Sequence, residues 1–251
     1  MEELNQIRKL CASYEHTDFT YGTVYHVDNL HIMLELMLMP DFKFSLTVTD
    51  PPYNVNAKAK DQVRNKDDGE KKESYNDNLD ANDYVLDMSH FYNEVMGVSD
   101  ALILSPGHAN VKMWCEFAEP SDYIFHNKGD GQGFSANTYA IKTELYLMYG
   151  RMINKRRLPT NTIYAKLNHH IRYGPHPHPK PPELYRKLIE PLQPAIVFDP
   201  YLGSGTTALV CEELGIPWVG CEISQTYIDE CIIPRCNNAK QPMNKQDMIE
   251  L

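Results

Sequence analysis

The apolar, β-branched run Leu46-Thr-Val-Thr49 stops at Asp50-Pro51-Pro52-Tyr53-Asn54. An acid, two prolines and an aromatic ring at a strand end make a stiff acceptor site. Proline has no N–H and fixes φ, so the local carbonyls are held facing outward. A planar amino group entering this corner can donate to the Asp50 carboxylate and to the Pro51 carbonyl. Pro52 stiffens the turn, and Tyr53 offers a ring face for stacking. The corner suits chemistry on an exocyclic amine. Its plainer reading is strand punctuation by two prolines.

A second cluster lies near the other end. Ala195-Ile-Val-Phe198 reads as a buried strand that runs into Asp199-Pro-Tyr201-Leu-Gly203-Ser204-Gly205-Thr206-Thr207. Ala208 to Leu214 then reads as a helix stopped by Gly215, and Pro217 to Cys221 as the next strand. Together they form one βαβ unit with a glycine turn between strand and helix. Gly203 and Gly205 let the backbone approach a ligand closely, and the free N–H groups of the helix start favour an anionic group. Glu222 closes the second strand, where a carboxylate can accept from both hydroxyls of a ribose. A nucleoside cofactor fits. With Ala208 in the third position, the unit also satisfies the dinucleotide fingerprint, so a nicotinamide cofactor stays open.

The elements that must carry these turns alternate along the chain. Strands are expected near 22–27, 44–49, 101–104, 122–126, 144–149, 195–198 and 217–221. Helices are expected near 2–13, 29–38, 82–96, 109–118, 182–190, 206–214 and 224–236. The alternation predicts an α/β fold, a doubly wound and mostly parallel sheet covered by helices on both faces. Ligands then bind at the carboxyl ends of the strands, where both turns sit. At 251 residues, with 42% hydrophobic and 23% charged residues, the chain suits one catalytic domain spanning 1–251.

Charge and composition narrow the setting. No apolar run approaches the roughly 18 residues needed to span a membrane. The start Met1-Glu-Glu-Leu-Asn-Gln carries acids where a secretory signal needs bases, so a cytosolic protein is expected. The six cysteines show no close pairing and several fall on apolar strand or helix positions, which suits reduced thiols. Net charge is −10, yet the stretch from Arg151 to Lys187 carries +8 and leaves −18 on the remainder. Lys155, Arg156, Arg157, Lys166 and Arg172 within it give a local basic face suited to phosphates. Residues 57–74 are the most polar stretch, nearly neutral and without apolar periodicity, and are expected to form a mobile loop. His169, His170, His176 and His178 cluster, but prolines at 175, 177 and 179 impose extended geometry and no cysteine or acid joins them at ligand spacing. No metal site is expected.

Together, the Asp50 turn and the glycine turn resemble the amino-methyltransferases of nucleic acid, which move a methyl group from S-adenosylmethionine to adenine N6 or cytosine N4. The chain order is similar to the β class, a circularly permuted arrangement with Asp-Pro-Pro-Tyr first and the glycine loop near the C-terminus. Four further segments follow the family order: Val24-Tyr-His-Val-Asp28-Asn29; Tyr75-Asn-Asp77 ahead of Asp83; Ala101 to Ser105 with the later pair at Tyr123 and Glu144; and His176-Pro-His-Pro-Lys180-Pro181. Phe125 stands where the family usually has Trp, and Tyr201 where it usually has Phe. The stretch at 151–175, which matches the family's target-recognition region, is short.

The resemblance implies direct methyl transfer, with no metal and no covalent intermediate. Asp50 and the Pro51 carbonyl draw the amine nitrogen toward tetrahedral geometry, and Tyr53 stacks on a base flipped out of the duplex. The cofactor residues it implies begin with Asp28 and Asn29 beside the adenine, together with His176, Tyr201, Gly203, Ser204, Gly205 and Glu222. Asp199 takes the cofactor amino group, while Lys180, Thr206 and Thr207 face its carboxylate. The implied partner is double-stranded DNA. Asp at the head of the turn is commoner among adenine enzymes and Ser among cytosine N4 enzymes, which favours N6 of adenine. Cytosine N4, RNA, an NAD-dependent oxidoreductase and a non-catalytic nucleic-acid-binding subunit are the alternatives. A homodimer and a companion restriction enzyme are also compatible with the resemblance, and neither is visible in one chain.

Overall fold

The computed structural model describes residues 1–39, 41–54, 78–129, 133–134, 140–151, 158, 160–166 and 174–240. The expected loop at 57–74 and most of 151–175 lie outside the described residues.

Helix α1 (Glu2–Leu10) carries Glu2 and Glu3 in its first turn and Arg8 and Lys9 in its last, which complements the helix dipole. Strands β1 (His16–Asp18) and β2 (Gly22–Tyr25) lead to α2 (Asn29–Met37), whose N-terminus is capped by the Asp28 carboxylate. Next come β3 (Leu46–Thr49), the long α3 (Ala81–Val98) capped by Asp80, β4 (Ala101–Leu104) and α4 (Val111–Phe117). Strands β5 (Asp122–Asn127), β6 (Gly133–Phe134), β7 (Ala140–Ile141), β8 (Thr143–Gly150) and β9 (Thr162–Tyr164) follow. The chain then forms α5 (Pro182–Ile189), β10 (Val197–Asp199), α6 (Thr206–Leu214) and β11 (Trp218–Cys221).

Nine strands make one sheet in the order β1-β2-β11-β10-β3-β4-β8-β5-β9, while β6 and β7 form a separate ribbon. From β2 through β4 every neighbour is parallel. β8 runs antiparallel to both β4 and β5, and β1 antiparallel to β2. Every residue of β2, β3, β4, β10 and β11 is buried, as expected for strands covered on both faces. One apolar layer packs α1 to α4 on one face through Leu4, Ile32, Leu36, Phe91 and Trp114. The other packs α5, α6 and the C-terminal segment through Leu184, Leu188, Val210, Ile228 and Ile232. The sheet is therefore doubly wound, as the alternation predicts.

Some boundaries differ from expectation. The first helix ends at Leu10 rather than near residue 13. The expected helix at 224–236 is present as one continuous helical run, α-helical at Gln225–Tyr227, π-helical at Ile228–Ile232 and α-helical again at Ile233–Asn237. Pro234 has no N–H to continue the ladder, which accounts for the widened turn ahead of it. β1 and β9, each three residues long at a sheet margin, are too short to show alternation in the sequence. All six cysteines are unpaired, and five are buried. Among the described residues, no helix is long and apolar enough to cross a membrane.

Candidate active site

β3 and β10 are parallel neighbours, so their carboxyl ends deliver Asp50 and Asp199 to the same edge of the sheet. The two turns are joined directly. The Thr49 hydroxyl donates to Asp199 Oδ1 at 2.8 Å. Asp199 also accepts from the Thr207 hydroxyl and from the Tyr201 amide at 3.1 Å. Burial pushes its carboxyl up to about 7 even against these donors.

The glycine turn is built around Glu222. Gly203 N donates to one carboxylate oxygen and Ser224 N to the other, each at 2.8 Å. Burial raises this carboxyl too, to about 7. Gly203 has φ of 53°, and a Cβ there would lie 3.0 Å from His176 Nε2, so the position requires glycine on both counts. The His176 ring stands edge-on to Tyr227 at 4.8 Å. Burial, and then the neighbouring His178, Arg235 and Lys180 charges, lower it to about 4, leaving a neutral imidazole at pH 7.

At the other turn, Tyr84 donates to the Pro52 carbonyl at 2.8 Å and the Asn110 amide to the Tyr53 carbonyl at 2.9 Å. Asn54, at a left-handed φ of 54°, exchanges two hydrogen bonds with Leu79: Leu79 N to Oδ1 at 2.7 Å, and Nδ2 to the Leu79 carbonyl at 3.1 Å. The Tyr53 hydroxyl donates to Asp50 Oδ1 and lies 2.7 Å from Ser105 Oγ. Lys180 Nζ sits between two acids, 3.2 Å from Asp50 Oδ2 and 2.5 Å from Glu144 Oε1. Burial pushes the Asp50 carboxyl up against the pull of Lys180. Glu144 moves the other way: burial opposes ionisation, but Lys180 and a hydrogen bond from His126 outweigh it.

A cavity of about 330 Å³ joins the two turns. Asp50, Pro52 and Lys180 line it, as do Asp28, Asn29, His176, Gly203 and Glu222, together with Asp199, Tyr201, Ser204, Thr206 and Thr207. The residues expected at a nucleoside cofactor are thus gathered around one space, with Gly205 shaping the turn at φ 75°. Two expectations are revised. The Lys180 ammonium is held by Asp50 and Glu144, and it is the Lys180 carbonyl that meets Thr206, at 3.1 Å. The Thr207 hydroxyl is committed to Asp199 rather than to the open cavity. Of the basic residues expected to contact DNA, Lys166 is exposed just past β9. Lys155, Arg156, Arg157 and Arg172 lie outside the described residues, as do His169 and His170. Sequence reasoning gave no role to Thr49, Ser105, His126 or Glu144; a polar residue at or just past a strand end is the only local signal, and only Thr49 and Ser105 carry it.

The acids give a pH dependence of known sign. Asp199 and Glu222 hold their protons more tightly folded than unfolded, so their contribution to stability is lost as pH rises from about 4 to about 7. His176, lowered on folding, opposes them below its ordinary value of 6.5 but offsets only one of the two protons. The melting temperature of the unliganded protein is expected to fall between pH 5 and pH 7. Thermal melts across that range check it, and a rise would show that these carboxyls are not buried as described.

A doubly wound sheet with an acidic Pro-Pro turn and a glycine turn on neighbouring strands makes a Rossmann-like α/β fold. Comparison with known proteins finds likenesses among methyltransferases. A family model described as DNA methylase, for N6 and N4 methyltransferases, matches residues 117–233, a span that holds the glycine turn but not Asp50. Type II methyltransferase M.HpaI of Haemophilus parainfluenzae is 26% identical, with the match covering 73% of this chain. The chain spans 65% of that protein's length. The crystal structure of an M1.HpyAVI–SAM complex shares the fold at a TM-score of 0.57 and 18% identity, covering 85% of this chain and 98% of that one. The PvuII DNA methyltransferase, titled cytosine-N4-specific, superposes at a TM-score of 0.59 with 13% identity, covering 92% and 91% of the two chains. Over these spans the chain is similar to amino-methyltransferases of DNA in sequence and in fold.

Proposed function

We propose that this protein transfers a methyl group from S-adenosylmethionine to the exocyclic N6 of adenine in double-stranded DNA. The observation that carries the reading is the Thr49–Asp199 hydrogen bond, which ties the Asp50 turn to the glycine turn, both of which line one cavity. An acceptor corner for an amine and a cradle for a nucleoside therefore face each other. A hydride-transfer enzyme would use the second but has no need of the first. The order of the two turns along the chain supports the permuted β class, and Asp50 at the head of its turn supports adenine over cytosine.

The residues present fit the cofactor. Glu222 offers a carboxylate for a ribose diol, Asp28 and Asn29 flank the far wall, and neutral His176 adds no charge to repel a sulfonium. S-adenosylmethionine bound there would supply an electrophilic methyl group. The rest is done by the chain. Asp50 and the Pro51 carbonyl accept from the target amine and stabilise its developing positive charge. Both Asp50 oxygens already hold partners, so the amine takes the place of Lys180, which keeps Glu144. Positioning of amine and methyl in line accounts for much of the rate, a term that reaches roughly 7–11 kcal/mol. This reading places the protein in a cytosol with its DNA. A second copy or a companion restriction enzyme is compatible with it, and neither is needed for the chemistry.

Mass spectrometry of nucleosides from DNA incubated with the protein and S-adenosylmethionine tests the proposal. N6-methyladenine is the expected product. N4-methylcytosine alone would move the target base, and methylation of RNA alone would move the substrate. Tight binding of NAD with no methylation would overturn the reading.

A further inference from the structure

We propose that His126 is a positioning residue for the methyl transfer described above: it fixes Glu144, and through Glu144 the Lys180 ammonium, so that Asp50 can be released to the target amine. The role rests on that reading of the site.

His126 lies on β5 with no exposed surface, opposite Glu144 in the antiparallel pairing and beside Ile163 of β9 in the parallel one. Its Nε2 is 2.8 Å from the Ala165 carbonyl. A carbonyl only accepts, so Nε2 carries a proton and donates. Its Nδ1 is 3.3 Å from Glu144 Oε2, a carboxylate that also only accepts, so the two contacts together call for the ring protonated on both nitrogens, the imidazolium. The other Glu144 oxygen takes the Ser105 hydroxyl at 3.2 Å and Lys180 at 2.5 Å. The carboxylate is held on both oxygens and cannot swing.

That fixed carboxylate has a consequence for substrate entry. Tyr53 occupies one Asp50 oxygen and Lys180 the other. Lys180 is the partner that can yield, because Glu144 is already the nearer of its two acids. A buried ammonium with no counter-charge would be strongly disfavoured. If Glu144 turned away, Lys180 would fall back on Asp50 and compete with the amine. His126 also ties the pair to the backbone just past β9, within the basic stretch, so the acceptor site and that strand are braced by one side chain.

Two near-isosteric substitutions separate the halves of the ring. His126→Asn keeps a donor near Nδ1 toward Glu144, and His126→Gln keeps one near Nε2 toward Ala165. Single-turnover methyl transfer, substrate KM, cofactor affinity and melting temperature are measured for both, for Glu144→Gln, and for the His126→Gln/Glu144→Gln double variant. His126→Gln is expected to slow transfer on the order of 100-fold, the scale of a small misplacement at a reacting centre, with KM and cofactor affinity unchanged. His126→Asn is expected to retain most of the rate. In the Glu144→Gln background, His126→Gln is expected to add nothing, because both act through one contact. Equal losses in the two single variants, or additive losses in the double, would make His126 a packing residue and overturn the role. A wild-type rate in Glu144→Gln would overturn it even if the His126 variants fail to fold. Absence of methyl transfer in the wild type would overturn the reading of the site, and this role with it.

Discussion

Asp50→Ala is expected to bind S-adenosylhomocysteine as the wild type does, yet to transfer methyl groups on the order of 1,000-fold more slowly, the scale seen when a preorganised electrostatic partner is removed. In the proposed reading the carboxylate meets the amine, while Glu222, Gly203 and the residues around Asp28 hold the nucleoside; all of them line one cavity. The variant has good reason to fold. Lys180 keeps Glu144 at 2.5 Å, and Tyr53 keeps Ser105 at 2.7 Å, so no buried charge or hydroxyl is stranded. Asp50→Asn gives a finer test, since its amide oxygen still accepts but carries no charge. A rate between wild type and Asp50→Ala would separate orientation of the amine from stabilisation of its charge. Calorimetry and a tritiated-methyl assay measure the two halves, and full turnover in Asp50→Ala would sink the mechanism.

Glu222→Ala is expected to weaken cofactor binding by about 1.5–3 kcal/mol, the range for a charge-assisted hydrogen bond. Its carboxylate has two jobs: it accepts from Gly203 and Ser224 and so shapes the turn, and it presents acceptor capacity to the cavity. The sign of the pH effect follows. Ligand hydroxyls donate to the ionised form, which burial disfavours until about pH 7. Affinity is therefore expected to climb as pH rises through 7 and to level off above it. Glu222→Gln should remove that group's share of the slope, leaving the part due to Asp199, whose carboxyl titrates in the same range. Cofactor affinity unchanged in Glu222→Ala would mean that the nucleoside lies elsewhere in the cavity.

How much of this could be read from residues alone depends on where each group takes its instructions. The central strands announce themselves because burial on both faces leaves runs such as Leu46-Thr-Val-Thr49 and Ala101-Leu-Ile-Leu104 with almost nothing charged. The two turns are legible because prolines and glycines fix backbone shape locally. Glu144 and His126 are not. Their meeting is set by β8 entering the sheet antiparallel between β4 and β5, a long-range register that no local spacing encodes. Lys180 shows the limit within a legible segment. Its backbone belongs beside the glycine turn, as the His-Pro run implies, but four methylenes carry its charge to Asp50 and Glu144. Residues Lys155, Arg156, Arg157 and Arg172 remain expectations from charge alone.

The paired hydrogen bonds between Asn54 and Leu79 act as a clasp. They hold together the two stems on either side of residues 55–77, immediately after the Asp50 turn. With the stems fixed, the entropy of closing the intervening stretch grows only with the logarithm of its length, about 0.6 kcal/mol for each doubling. Insertions or deletions there should leave the Asp50 corner where it is. The Asp50 corner is thereby insulated from changes of length in the chain beside it.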